Sequence, residues 1–122
     1  MTSAGAQDAI LEHVAAFNAH DSVRLRAGFA TDVVWTTGAD TFRGSDEVAE
    51  VFDPWLWALT PALEVLNLVV DGASASAELR ETLVVDGATR TFHIAGFFTV
   101  VDGLITRAKI YREGSADLGG SD

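Results

Sequence analysis

One charged residue stands in an otherwise apolar row. In SAELRETLVVDG, residues 76–87, strand alternation places Leu79, Glu81, Leu83 and Val85 on one face and Glu78, Arg80, Thr82 and Val84 on the other. A carboxyl among leucines is disfavoured in its charged form, which is how a glutamate becomes able to exchange protons near neutrality. A second titratable group has the same setting. His13 lies within the helical stripe Ile10, His13, Val14 and Phe17 and points to the same interior. Glu81 and His13 are thus a candidate acid/base pair. The competing account of Glu81 is an ion pair with Arg112, which shares the inward phase of the last strand. That of His13 is a helix histidine bonded to a backbone carbonyl or to Glu81.

Other chemistries lack their residues. Cysteine is absent, which removes disulfides and thiolate nucleophiles and fits a reducing cytoplasm. Three scattered histidines make no metal-ligand spacing, the glycines belong to hairpins rather than a phosphate loop, and no cofactor is implied. His20 adjoins Asp21 in a helix-ending turn and is expected to be solvated, and His93 falls on the outer sheet face. Eight Lys and Arg against eighteen Asp and Glu give a net charge of −10 without a basic cluster. This argues against nucleic acid and anionic membrane as partners. The start, MTSAGAQDAILEHV, has neither the basic nor the apolar region of a signal peptide, and no apolar run is long enough to span a bilayer.

The elements that position these residues follow from periodicity. Helices are expected at 7–20 and 22–29, the second capped by Asp21 or Ser22. DVVWTT, 32–37, reads as a strand, with Thr41 and Phe42 in a short partner. GSDEVAEVF opens a third helix with Ser45 as N-cap and a stripe of Val48, Val51, Phe52 and Trp55, interrupted at Pro54. Four strands follow at 63–70, 73–85, 88–101 and 104–113, separated by Asp-Gly at 71–72, 86–87 and 102–103, the signature of an antiparallel meander. The last strand should face Leu104, Thr106, Ala108, Ile110 and Arg112 inward. The fold class is α+β, one domain over 1–113, with a small polar tail at 114–122 expected to lack order.

A curved sheet under helices encloses a space. Its apolar wall is expected from Phe17, Trp35, Leu79, Phe92, Ile94, Phe98 and Ile110, with Thr37, Trp55 and Arg112 also lining it. The ligand is then a small, largely apolar molecule. Phe97 and Tyr111 on the outer sheet face form an apolar patch of the kind that marks an interface, here expected to be a homodimer.

The pieces HVAAFNAHDSVRLRAGFATDVVWTTG, FRGSDEV and AGFFTVVDGLITRAKIY together resemble the nuclear transport factor 2-like superfamily, in its SnoaL-like and ketosteroid-isomerase-like group, over about residues 5 to 113. The resemblance implies a cone-shaped α+β barrel with an apolar pocket. It also implies isomerase, polyketide cyclase, dehydratase or epoxide hydrolase chemistry without a cofactor, or else a binding or scaffold protein of the same fold. The donor tyrosine of the steroid isomerases falls at His13, their base at Thr37 and their second acid at Gly96, so two of three groups are lost. In the limonene-epoxide-hydrolase group an aspartate falls at Glu81, two water-binding residues at Trp35 and Thr37, and a second aspartate at Ile110. A histidine with a carboxylate, as in the cyclases, is similar in kind to His13 with Glu81.

Overall fold

The computed structural model describes residues 5–113 of the 122-residue chain. The expected polar tail, 114–122, lies outside the described residues. Helix α1 spans Ala6–Asn18 and α2 Ser22–Ala27, where Asp21 caps by accepting the Arg24 N–H at 3.1 Å. Strand β1 runs Phe29–Thr37, longer than DVVWTT by three residues, and β2 is Asp40–Arg43. Helix α3, Ser45–Val51, is preceded by Gly44 at φ 89°, so Gly44, not Ser45, is the N-cap. Ser45 makes no side-chain cap. Glu47 instead accepts from the Arg43 N–H at 3.1 Å, folding the acidic first turn back on the chain entering it.

The third-helix stripe breaks where proline predicts. Asp53, at φ −120° and ψ 125°, leaves helical geometry inside a π-type turn at Phe52–Leu56, and a 3₁₀ turn at Trp57–Leu59 follows. Val48 and Phe52 remain buried. Beyond the break the phase has rotated, so Trp55 turns outward at 75% exposure and Leu56 turns in. Trp57 packs on Phe17 and Phe52, and its Nε1–H donates to Ser22 Oγ at 2.7 Å. Ser22 in turn donates to Asp53 at 2.7 Å, so one hydroxyl ties the broken segment to α2. His20 is not solvated as expected. It stacks on Trp57 at 5.0 Å, with Nε2 2.8 Å from the Pro61 carbonyl.

Strands β3 (Ala62–Asp71), β4 (Ser74–Val85), β5 (Ala88–Val101) and β6 (Leu104–Arg112) form the meander. Asp86-Gly87 and Asp102-Gly103 are two-residue loops with both residues at positive φ, as a type I′ turn requires. At the first hairpin Asp71 still pairs with Ser74, so the loop is Gly72-Ala73, one residue later than the Asp-Gly spacing suggested. The sheet order is β2-β1-β6-β5-β4-β3. Every ladder is antiparallel except β1 with β6, which is parallel. The curved sheet is not closed: β2 and β3 are its edges, and α1 lies across the concave face from β3 to β6. Asn18 ties the end of α1 to the β3 edge, donating to the Leu63 carbonyl at 3.0 Å and accepting its N–H at 2.7 Å. One side chain thereby satisfies a backbone pair that the edge strand would leave open.

The inward phase of β4 is as alternation predicts: Ala75, Ala77, Leu79, Glu81 and Leu83 are all buried. In β6 the expected phase fails at its start. Thr99 pairs with Arg107 but Val100 with Ile105, which makes Thr106 a bulge. One extra residue reverses the alternation, so Ile105 is fully buried while Ala108, Ile110 and Arg112 keep the inward phase.

Candidate functional site

Between α1, the Phe52–Leu59 segment and the concave sheet lies a cavity of about 90 Å³. Its wall includes ten of the twelve residues expected from the sequence: His13, Phe17, Trp35, Thr37, Leu79, Glu81, Ile94, Phe98, Ile110 and Arg112. Trp55 is excluded by the helix break described above. Phe92 does not line it; the Arg112 guanidinium lies over its ring, the guanidinium carbon 5.3 Å from the centroid. Ile10, Val14, Val51, Phe52, Leu56 and Leu63 line the wall without having been singled out. The first two belong to the helical stripe that located His13, and their spacing was signal enough. Leu56 and Leu63 become lining residues only through the break at Asp53 and the docking of β3 against α1.

Glu81 is 2% exposed and faces this cavity from β4. Arg112 reaches it from β6, two strands away, by laying its guanidinium across Phe92 of the intervening β5. Arg112 Nη1 donates to Glu81 Oε1. The arginine side chain is 38% exposed, so the pair has one end in the core and the other at the surface. The ion pair weighed against an isolated carboxyl is therefore present, and a cavity remains beside it.

His13 is 7% exposed, with Phe29, Trp35 and Phe52 around it at ring-centroid distances of 5.7, 5.5 and 6.1 Å. Its Nδ1 is buried without a hydrogen-bond partner among the described residues. Neither the expected backbone carbonyl nor Glu81 meets it. Burial pushes the imidazole down to a pKa of about 4, so the ring is neutral at physiological pH. The shift also makes stability depend on pH. Between pH 6.5 and pH 4 the unfolded chain binds a proton at His13 that the folded chain refuses. Stability is therefore full above pH 6.5 and falls as pH drops through that window. Between pH 6.5 and 5 the loss from this residue is about 2 kcal/mol, at 1.36 kcal/mol per unit. Urea unfolding of wild type and His13→Leu at the two pH values should show that difference, and parallel curves would refute it.

The packing around Gly96 leaves no room for a side chain there. A Cβ at this position would lie 2.6 Å from the Phe98 ring and 3.2 Å from Ile110. Phe98 occupies the room that a side chain at position 96 would need.

A family model for the SnoaL-like domain matches residues 10–108. The chain belongs to the SnoaL-like domain family. Solved structures agree with this assignment at the level of fold. An epoxide hydrolase from Mycobacterium tuberculosis, of the limonene-epoxide-hydrolase-like kind, is similar over 86% of this chain and 80% of its own, with 23% identity and a TM-score of 0.78. TerC, crystallised with polyporic acid, is similar over 85% and 88% of the two chains, with 21% identity and a TM-score of 0.77. A protein of ketosteroid-isomerase-like fold from Catenulispora acidiphila, in complex with trimethylamine, is similar over 85% and 84%, with 15% identity and a TM-score of 0.77. Comparison with curated protein sequences returns no match. At these identities the likeness is one of fold, and the SnoaL-like chain's own pocket has to carry any statement about chemistry. No helix among the described residues is long and apolar enough to cross a membrane.

Proposed function

We propose that this SnoaL-like protein is a general acid/base enzyme acting on a small, largely apolar molecule held in the cavity. The observation that carries this is the meeting of a 2%-exposed carboxylate and a buried histidine, whose Nδ1 has no hydrogen-bond partner among the described residues, on one aromatic-lined cavity. Glu81 takes a proton from water or from a carbon beside an activating group. Arg112 fixes the carboxylate oxygen it holds, and His13, neutral, hydrogen-bonds the oxygen on which charge develops. Epoxide opening, dehydration, isomerisation and cyclisation all use these roles. The Glu81–Arg112 pair also supports a second reading, a ligand-binding protein of this fold without chemistry. A panel of small epoxides, allylic alcohols and β,γ-unsaturated ketones, followed by mass spectrometry, separates the two. Turnover that disappears in Glu81→Gln supports the enzyme. Binding without turnover across the panel leaves the second reading standing.

The outer sheet face supports a homodimer as the working assembly. Phe97 and Tyr111, 51% and 54% exposed, pack edge to face at 5.9 Å in a groove of about 620 Å³. Arg107 and Lys109 on β6 and Glu78 and Asp71 on β4 and β3 lie on opposite sides of Phe97. A two-fold copy packed on this face sets the basic row of one protomer against the acidic row of its partner. Sedimentation equilibrium should give a dimer for wild type and a monomer for Phe97→Glu. A wild-type monomer at every concentration would remove this part of the proposal.

A further inference from the structure

We propose that Phe98 sets how long a molecule the cavity accepts: its ring is a plug that ends the cavity on the side away from Glu81 and Arg112, so the substrate carries only a short apolar tail. This rests on the ligand-site reading above and narrows the substrate class for the same cavity.

The wall of the cavity shows where it stops. On β4 the wall runs from Glu81 to Leu79 and does not continue to Ala77 and Ala75, which follow in the same phase. On β6 it runs from Arg112 to Ile110 and leaves out Ala108. These three alanines are buried, and the ladders put them around Phe98. Ala75 and Ala108 pair with Phe98 from either side, and Ala77 pairs with Gly96. Side chains this small do not fill the space above that part of the sheet, and protein interiors leave little space empty. The Phe98 ring fills it. The ring folds back over Gly96, where a Cβ would meet its carbons at 2.6 and 2.7 Å, and it packs on Trp35 at 6.2 Å. Phe98 lies six residues along β5 from Phe92, the partner of Glu81, so the ring and the carboxylate bound opposite ends of one space. A molecule that reacts at Glu81 without protruding past the partly exposed Arg112 must extend toward the ring. At about 90 Å³ the space is smaller than the cavity of about 150 Å³ that benzene fills, so that extension is short. One side chain over a floor of small residues imposes the limit. Removing it lengthens the cavity, because the surroundings of a deleted core group relax only in part.

The test uses straight-chain methyl ketones, propan-2-one to nonan-2-one, as probes. They are titrated into protein labelled with ¹³C at the isoleucine δ1 methyls and read at Ile94 and Ile110, which both line the cavity. Wild-type affinity is expected to rise about fourfold with each added methylene and to stop rising at about five carbons. The terminal methyl of the longest ketone below that limit gives a nuclear Overhauser contact to the Phe98 ring. The limit moves out by about one carbon in Phe98→Leu and by about three in Phe98→Ala, and the milder leucine variant carries the comparison if the alanine variant does not fold. Phe29→Leu removes an equally buried ring that is not part of the wall, and it leaves the limit where it is. An unchanged limit in Phe98→Leu, an equal move in Phe29→Leu, or a tail with no contact to the Phe98 ring overturns the inference. Binding does not use proton transfer, so Glu81→Gln keeps the wild-type limit. Loss of turnover in Glu81→Gln with a limit that ignores Phe98 therefore sinks this inference alone. A limit that follows Phe98 with turnover unchanged in Glu81→Gln sinks the acid/base reading alone.

Discussion

Glu81→Gln is expected to lower kcat by about 10²- to 10⁴-fold, the usual worth of a positioned acid or base, while the protein stays folded. That range is about 2.7–5.5 kcal/mol of barrier. The substitution is chosen for what it preserves. Glutamine has the shape of glutamate, so the leucine neighbours and the cavity wall are unchanged. Its amide oxygen can still accept the Arg112 hydrogen bond. What it loses is the site that takes and returns a proton. KM should change little, because the walls that hold an apolar substrate come from Phe17, Trp35, Ile94 and Phe98. Initial rates on whichever substrate the panel identifies, with melting temperature as a control for folding, measure this directly. Wild-type kcat in a folded variant would remove Glu81 from the chemistry and return it to structure.

The two halves of the Glu81–Arg112 pair are expected to be unequal in stability. Removing Arg112 as Arg112→Ala should destabilise the fold by about 3–5 kcal/mol, the cost of breaking a buried ion pair from one side. The survivor decides the size. After this change a carboxylate with 2% exposure loses its counter-charge, and the ring of Phe92 loses the cation lying over it. Glu81→Gln leaves behind a guanidinium that is already 38% exposed and can be hydrated, so its cost should be about 1 kcal/mol. Equilibrium urea denaturation at pH 7 gives both numbers. Similar losses in the two variants would mean that the pair is solvated at both ends, and the dry pocket on which the proposed chemistry depends would fail with it.

Much of this molecule was legible in its order of residues, for identifiable reasons. Strand alternation has period two and helix periodicity 3.6, and both are strict wherever the backbone is regular. That was enough to bring His13 on α1 and Glu81 on β4, 68 positions apart, to one interior, and to place ten of the twelve expected residues on the cavity wall. Two-residue Asp-Gly loops likewise announced the meander, because few other residues adopt positive φ at adjacent positions. The misreadings cluster where regularity is interrupted. The bulge at Thr106 reversed the start of β6, and the non-helical Asp53 turned Trp55 to solvent and Leu56 inward. Partners remote in sequence belong to the tertiary structure alone. Periodicity put Glu81 and Arg112 in one phase but could not say that the guanidinium crosses β5 to reach the carboxylate. Nor could it show that Phe98 fills the space over Gly96, that Asn18 closes the β3 edge, or that no described residue hydrogen-bonds His13 Nδ1. Local pattern sets which way a side chain points. What it meets there depends on distances between strands and helices far apart in the chain, and only the packed fold specifies those distances.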